Sequence, residues 1–139
     1  MQTFLPLQNI QETAKILDRF RLGKQRVEAI QILNVLTGKS NGWKNHPAVK
    51  MWHGYESYLL YIYLKNIMLE WESRGYKNIK CVEHYKNLSS IISPKIQKPK
   101  WITKNFCLSH QSNLVRKKPE YYRQFFPDVP DDLEYIWPV

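Results

Sequence analysis

Between positions 21 and 28 the chain reads Arg-Leu-Gly-Lys-Gln-Arg-Val-Glu, three cations and one carboxylate in eight residues around a glycine. Lys15 and Arg19 extend the run, so five cations lie between positions 15 and 26. Cations this dense suit the repeated charges of a phosphate backbone better than a single small anion. Arg19, Arg21, Lys24 and Arg26 are therefore candidate phosphate ligands. The competing reading is a solvated helix face with no ligand. Asp18, Arg21, Gln25 and Glu28 stand three or four residues apart and share one face if the chain bends only mildly at Gly23. Such a set can position a sugar–phosphate and protonate a leaving group, and it is equally an ordinary ladder of helix ion pairs.

Three further groups have chemical potential. His46 precedes Pro47 in a loop entering a helix, with His53 and Glu56 farther on. Glu56 stands between Trp52 and Leu59-Leu60, and a carboxylate buried there needs a cation or a raised pKa. It is either a general acid or the partner of an arginine from the first helices, and the residue types favour the ion pair. His110, in Ser-His-Gln-Ser at 109–112, either contacts phosphate or is a structural histidine. Lys117 and Lys118 are followed by Tyr121, Tyr122, Arg123, Phe125 and Phe126. That mixture offers backbone contacts and stacking platforms for an unstacked base, or it is a core helix with a basic edge. No nucleophile elbow or glycine-rich phosphate loop is present. The His and Cys spacings make no zinc set, so no metal or other cofactor is expected.

The elements that must hold these groups follow from periodicity. With 139 residues, 43% hydrophobic and 14% aromatic, the chain is long enough for one domain with a sizeable core. Asn9 to Glu12 reads as a capping box opening a helix over 10–22. Gly23 breaks that helix, and a second runs to Thr37 with Gly38 as its stop. Pro47 starts a long helix to Arg74, apolar on most sides and hence the expected centre of the bundle, which Gly75 ends. Shorter helices are expected over 80–92, 104–117 and 119–126, with a basic loop from Ser93 to Lys100. Period-2 alternation is missing, so the fold is expected to be all-α: a compact single-domain helical bundle with a long central helix. Residues 1–126 form its body. Residues 127–139 form an extended, proline-rich tail whose Tyr135, Ile136 and Trp137 dock on that body.

Charge is uneven. The net charge is +9, yet residues 1–127 carry all 21 basic side chains against eight acidic ones, and Asp128, Asp131, Asp132 and Glu134 make the tail acidic. No amphipathic pattern combines a bulky apolar face with a purely basic one, so nucleic acid is a better partner than a membrane surface. No stretch approaches the roughly 18 apolar residues of a membrane span. The start, Met-Gln-Thr-Phe-Leu-Pro-Leu-Gln, lacks the regions of a signal peptide. Cys81 and Cys107 form no close pair and read as reduced thiols. A monomer in the cytoplasm, nucleoid or nucleus is expected.

Several segments together resemble the pyrimidine-dimer DNA glycosylase/AP lyase family, of the small all-helical phage type, and most nearly a branch of small proteins placed in it by similarity. They are Gln-Thr-Phe-Leu-Pro at 2–6, Leu-Asp-Arg-Phe-Arg-Leu-Gly-Lys-Gln-Arg-Val-Glu at 17–28 and Asn-His-Pro-Ala-Val-Lys-Met-Trp-His-Gly-Tyr-Glu at 45–56. Arg-Gly-Tyr at 74–76, the run from Ser109 to Tyr122 and the closing Tyr-Ile-Trp-Pro complete them. The resemblance implies double-stranded DNA with a damaged or modified pyrimidine as substrate. It implies attack by a free N-terminal α-amine on C1′, release of the base, a Schiff base, and strand nicking by β-elimination. It further implies a carboxylate on the first basic helix, arginines on phosphates and a C-terminal aromatic–basic segment beside the lesion. When Arg26-Val27 and Gly38-Lys39 are matched to the family's Arg-Val and Gly-Lys without gaps, Arg26 matches a phosphate-binding arginine. Gly23 then occupies the slot of the catalytic carboxylate. Bulky Gln2 should also retain Met1, where the characterised enzymes expose a small residue. Met1 is then the candidate nucleophile, with Lys24, flanked by cations, as a second. Glu28, Asp18 or Glu56 would replace the missing carboxylate. The altered positions leave a non-catalytic nucleic-acid-binding module as the alternative. A protein-interaction domain engaging a basic partner through the acidic tail is a third reading.

Overall fold

The computed structural model describes residues 1–139, and the chain is all-helical, without a strand. Helix α1, Ile10–Ile16, opens at Asn9, whose side chain accepts the Glu12 N–H at 2.9 Å. It stops well before the expected position 22. Leu17 is extended, and Asp18 caps a second helix, α2, Arg19–Leu36, by accepting the Arg21 N–H at 3.4 Å. The break between the first two helices therefore lies at Leu17-Asp18, and the bend expected at Gly23 does not exist. A short carboxylate side chain can cap the free N–H groups of a helix start, whereas one glycine inside a helix only weakens it.

Gly23 has a packing role. A Cβ at this position would lie 3.0 Å from both Cη2 and Cζ3 of Trp71. The missing side chain lets the indole lie against the α2 backbone, and that ring supports the Arg26 guanidinium 4.1 Å from its centroid. Gly23→Leu is expected to lower stability by about 1–3 kcal/mol through overpacking, read as a drop in the urea midpoint. An unchanged midpoint would mean that Trp71 does not require the glycine.

Gly38 follows the end of α2 as expected, and α3 is the single turn Pro47–Lys50. The long helix expected over 47–74 is interrupted after it. At Gly54, φ is +86°, a left-handed backbone that only glycine adopts freely, and the chain turns. Helix α4 then begins; it runs as Glu56–Tyr58, a π-helical stretch Leu59–Leu64, and Lys65–Ser73. Trp52, Leu59, Leu60, Tyr63, Leu64 and Ile67 are all fully buried. The expectation that this region is the centre of the bundle therefore holds, although its helix is broken.

Helices α5 (Ile79–Ser89), α6 (Lys104–Lys117) and α7 (Pro119–Tyr122) follow in the expected order. The tail lies back along α6. Leu133 N–H donates to Ser112 Oγ at 3.0 Å, Ile136 N–H to Ser109 Oγ at 3.4 Å, and the Tyr135 ring stacks on His110 at 4.6 Å. Cys81 and Cys107 are buried and unpaired, and burial pushes the Cys107 thiol up to about 11. No helix is long and apolar enough to cross a membrane.

Candidate functional site

The N-terminal segment is threaded between helices. Thr3 is fully buried, and its hydroxyl accepts the Trp52 indole N–H at 3.0 Å. Phe4 carbonyl accepts the Tyr63 hydroxyl at 2.9 Å, and Leu5 N–H donates to His110 Nδ1 at 2.9 Å. At the centre of this clamp Gln25, 1% exposed, uses its whole amide. Its Oε1 accepts from Phe4 N–H at 3.0 Å and from the Tyr63 hydroxyl at 2.6 Å. Its Nε2 donates to the Gln2 carbonyl at 3.1 Å and to Glu28 Oε2 at 3.0 Å. A buried amide with every donor and acceptor satisfied fixes its neighbours in one arrangement.

That arrangement presents Glu28 to the start of the chain. The Glu28 side chain is only 9% exposed, and its Oε2 accepts Gln2 N–H at 3.4 Å. Its other oxygen lies 3.9 Å from the exposed Lys24 ammonium. Around them opens a cleft of about 440 Å³ lined by Gln2, Phe4, Asp18, Phe20, Arg21, Lys24, Gln25, Glu28, Lys117 and Lys118. Four cations thus face two carboxylates. Because α2 is continuous, Asp18, Arg21, Gln25 and Glu28 do share one side of it.

His46 stands near the same end. Its Nδ1 accepts Ala48 N–H at 3.0 Å and caps α3, and its ring contacts Trp43 on one edge and Trp137 on another, each at 5.9 Å. Burial and then the positive charge of the N-terminus lower its pKa, with Glu28 opposing them. His46 is therefore within electrostatic reach of both the amine and Glu28.

Other expected site residues lie elsewhere. Arg26 donates to Asn78 Oδ1 at 2.7 Å, to Cys81 Sγ at 3.5 Å and to the Gly23 carbonyl at 3.2 Å, besides lying on Trp71. At about 100° per residue, Gly23 and Arg26 face away from Gln25 and Glu28. The gapless family matching thus puts its carboxylate slot on the wrong side of α2, and Arg26 is a structural cation. Tyr122 is fully buried, with its hydroxyl donating to Asp18, so it offers no stacking face. Burial raises the Asp18 carboxyl, but the bonds from Tyr122 and Arg21 outweigh it and hold the pKa below the usual value. Asp18 is a helix cap with an Arg21 pair at 3.2 Å. His110 is fully buried beneath Leu5 and Tyr135 and cannot reach phosphate.

Glu56 is half-buried, but not against an arginine. Its carboxylate accepts Gly54 N–H at 3.1 Å and lines a separate groove with Thr37, Ser57 and Lys95. Arg19 is exposed on the neighbouring side of α2, with its guanidinium 5.1 Å from the Phe20 ring. Lys118 lies over Tyr121 at 5.6 Å, so Tyr121 borders the cleft through that lysine without lining it. Gln25 and Tyr63, which organise the clamp, were not foreseen in that role. Gln25 carried a signal in its spacing from Glu28, whereas Tyr63 looked like one more core aromatic.

The fold and the site together make a small all-helical protein with a cationic cleft around the fixed start of the chain. The family model for pyrimidine dimer DNA glycosylase matches residues 1–83, and the chain belongs to that family. Membership gives it a DNA-repair role of glycosylase type, with DNA as partner. The matched span contains the clamp, Lys24 and Glu28; Lys117 and Lys118 lie beyond it. Neither a curated protein nor a solved structure matches the chain.

Proposed function

We propose that this protein is a DNA N-glycosylase with abasic-site lyase activity on damaged or modified pyrimidines, using the Met1 α-amine as nucleophile and Glu28 as acid–base group. The observation that carries it is the Gln2 N–H bond to Glu28 at 3.4 Å. It holds a buried carboxylate one residue from the amine, inside a cleft whose cations suit a phosphodiester backbone.

The chemistry needs little more. The neutral amine attacks C1′ of the deoxyribose, the bond from C1′ to the base breaks, and the base leaves after taking a proton. The nitrogen then gives up one of its two protons, its lone pair expels O4′, which takes a proton as the sugar ring opens, and a Schiff base still protonated on nitrogen remains. Glu28 then removes a proton from C2′, and the 3′ phosphate departs as the C2′–C3′ double bond forms. Arg21, Lys24, Lys117 and Lys118 hold phosphates, with Arg19 on the rim and His46 within electrostatic reach of the amine. Lys24 is the second amine in reach. On this reading the protein works where DNA is, in the cytoplasm, nucleoid or nucleus.

Borohydride trapping on a duplex with one abasic site tests this. A covalent adduct is expected, and peptide mapping assigns it to Met1 or, if the nucleophile is the side chain, to Lys24. Binding without an adduct or base release would leave a DNA-binding module only.

A further inference from the structure

Trp43 is the one tryptophan whose side chain stands mainly in water. It is 66% exposed, while Trp52 is fully buried and Trp71, Trp101 and Trp137 are half-buried. It is also the only non-glycine residue with positive φ, at +65°. A bulky residue in the left-handed region is strained, and leaving an indole in water forgoes its burial.

The loop that carries Trp43 is held at its ends. Ser40 N–H donates to the Asn34 carbonyl at 3.1 Å, and His46 N–H closes a turn onto the Trp43 carbonyl at 2.9 Å. The ring of His46 meets the indole on one edge at 5.9 Å, and the rest of the ring is open. His46 is also the residue that feels the charges of the N-terminus and Glu28. Lys39 and Lys44 on the same loop are exposed cations. The loop connects to the N-terminal segment through a row of rings: His46 meets Trp137 at 5.9 Å, Trp137 meets Tyr135 at 4.6 Å, and Tyr135 stacks at 4.6 Å on His110, which holds Leu5.

We propose that Trp43 is a stacking wedge that enters the DNA base stack where a base has been displaced and holds the duplex open beside the amine. This rests on the glycosylase reading above in its choice of DNA. Reaching C1′ requires a nucleotide to leave the helix, and the vacated step must be filled or collapse. Flat apolar side chains inserted between base steps serve this purpose in proteins that kink DNA. Because every base has a π-face, the wedge sets a preference for an opened duplex without selecting sequence.

The test is the ratio of affinities for two duplexes of one sequence, one intact and one carrying a single tetrahydrofuran abasic analogue, which cannot form a Schiff base. The full chain is expected to prefer the tetrahydrofuran duplex by about tenfold, in line with one aromatic–base stack. Trp43→Ala should bring the two affinities within about twofold of each other, Trp43→Phe should keep most of the preference, and binding to the intact duplex should not change. Quenching of the exposed indole fluorescence on adding the tetrahydrofuran duplex, absent in Trp43→Phe, is the second readout. A preference that survives Trp43→Ala, or no preference in the unaltered protein, overturns the wedge. An adduct missing from the trapping experiment while the Trp43-dependent preference stands would overturn the glycosylase reading alone.

Discussion

Glu28→Gln is expected to slow base release and strand nicking by roughly 10²- to 10⁴-fold, the usual contribution of a positioned acid–base group, while leaving DNA binding intact or tighter. The substitution keeps the shape and an acceptor for Gln2 N–H, and the Gln25 amide retains its three other hydrogen bonds. The fold should therefore survive. What is lost is the group that takes a proton from the sugar, together with one of two negative charges in a cleft lined by four cations. Removing that charge improves the field for phosphate. Single-turnover trapping and nicking rates, set beside equilibrium binding at one salt concentration, separate the two effects. A variant that nicks at the unaltered rate would exclude Glu28. A variant that loses binding and nicking together would mean that Glu28 only holds the fold.

Asp18→Asn is the informative comparison, because Asp18 lines the same cleft but is committed to structure. Its carboxylate caps α2, pairs with Arg21 and accepts from Tyr122. The two carboxylates differ in their surroundings: Glu28 looks onto the start of the chain, and Asp18 onto α7.

Much of the fold was legible because helical periodicity and caps are local. The Asn9 cap, the Gly38 and Gly75 stops and the α6 span 104–117 were all readable from short windows. The errors share a cause, since tertiary contacts decided them. Gly23 reads as a breaker until Trp71, 48 positions away, is seen against it. The interruption at Gly54 was hidden because the apolar pattern continues across it on both sides.

The site was legible in composition and only partly in geometry. The spacing of Asp18, Arg21, Gln25 and Glu28 marked one face correctly, because those residues belong to one helix. Which cations remain free could not be read. Arg26 is satisfied by Asn78 and Cys81 from a distant helix start, whereas Lys117 and Lys118 reach the cleft from α6. For Tyr122 and His110 the sequence left a ligand role and a structural one open, and the fold decides for the structural one. Both are buried where the sequence brings a partner from about a hundred residues away, Asp18 for one and Leu5 for the other.

Acidification is expected to destabilise the protein through His110 before its carboxylates titrate. Burial lowers the His110 pKa from 6.5 to about 3. Its Nδ1 accepts Leu5 N–H at 2.9 Å, so the single proton of the neutral ring is on Nε2, which is buried and without a partner. Phe4, Phe106 and Tyr135 surround the ring and offer no charge to an imidazolium. The folded state thus binds fewer protons than the unfolded state between the two pKa values. The stability from this residue is complete above about pH 6.5 and falls by about 1.4 kcal/mol per pH unit below it, reaching about 3 kcal/mol at pH 4.5. Urea midpoints of the unaltered protein and His110→Gln across pH 4–8 measure it. The glutamine can still accept from Leu5, and Asp18 contributes equally to both curves and cancels. The unaltered protein should lose stability more steeply below pH 6.5, and parallel curves would show that His110 is protonated in the fold. The same bond anchors Leu5, three residues from Gln2, so protonation in the fold would also free the segment that sets Gln2 against Glu28. That release waits until about pH 3, where His110 titrates in the fold, so the clamp should keep its arrangement across pH 4–8 while the stability behind it falls.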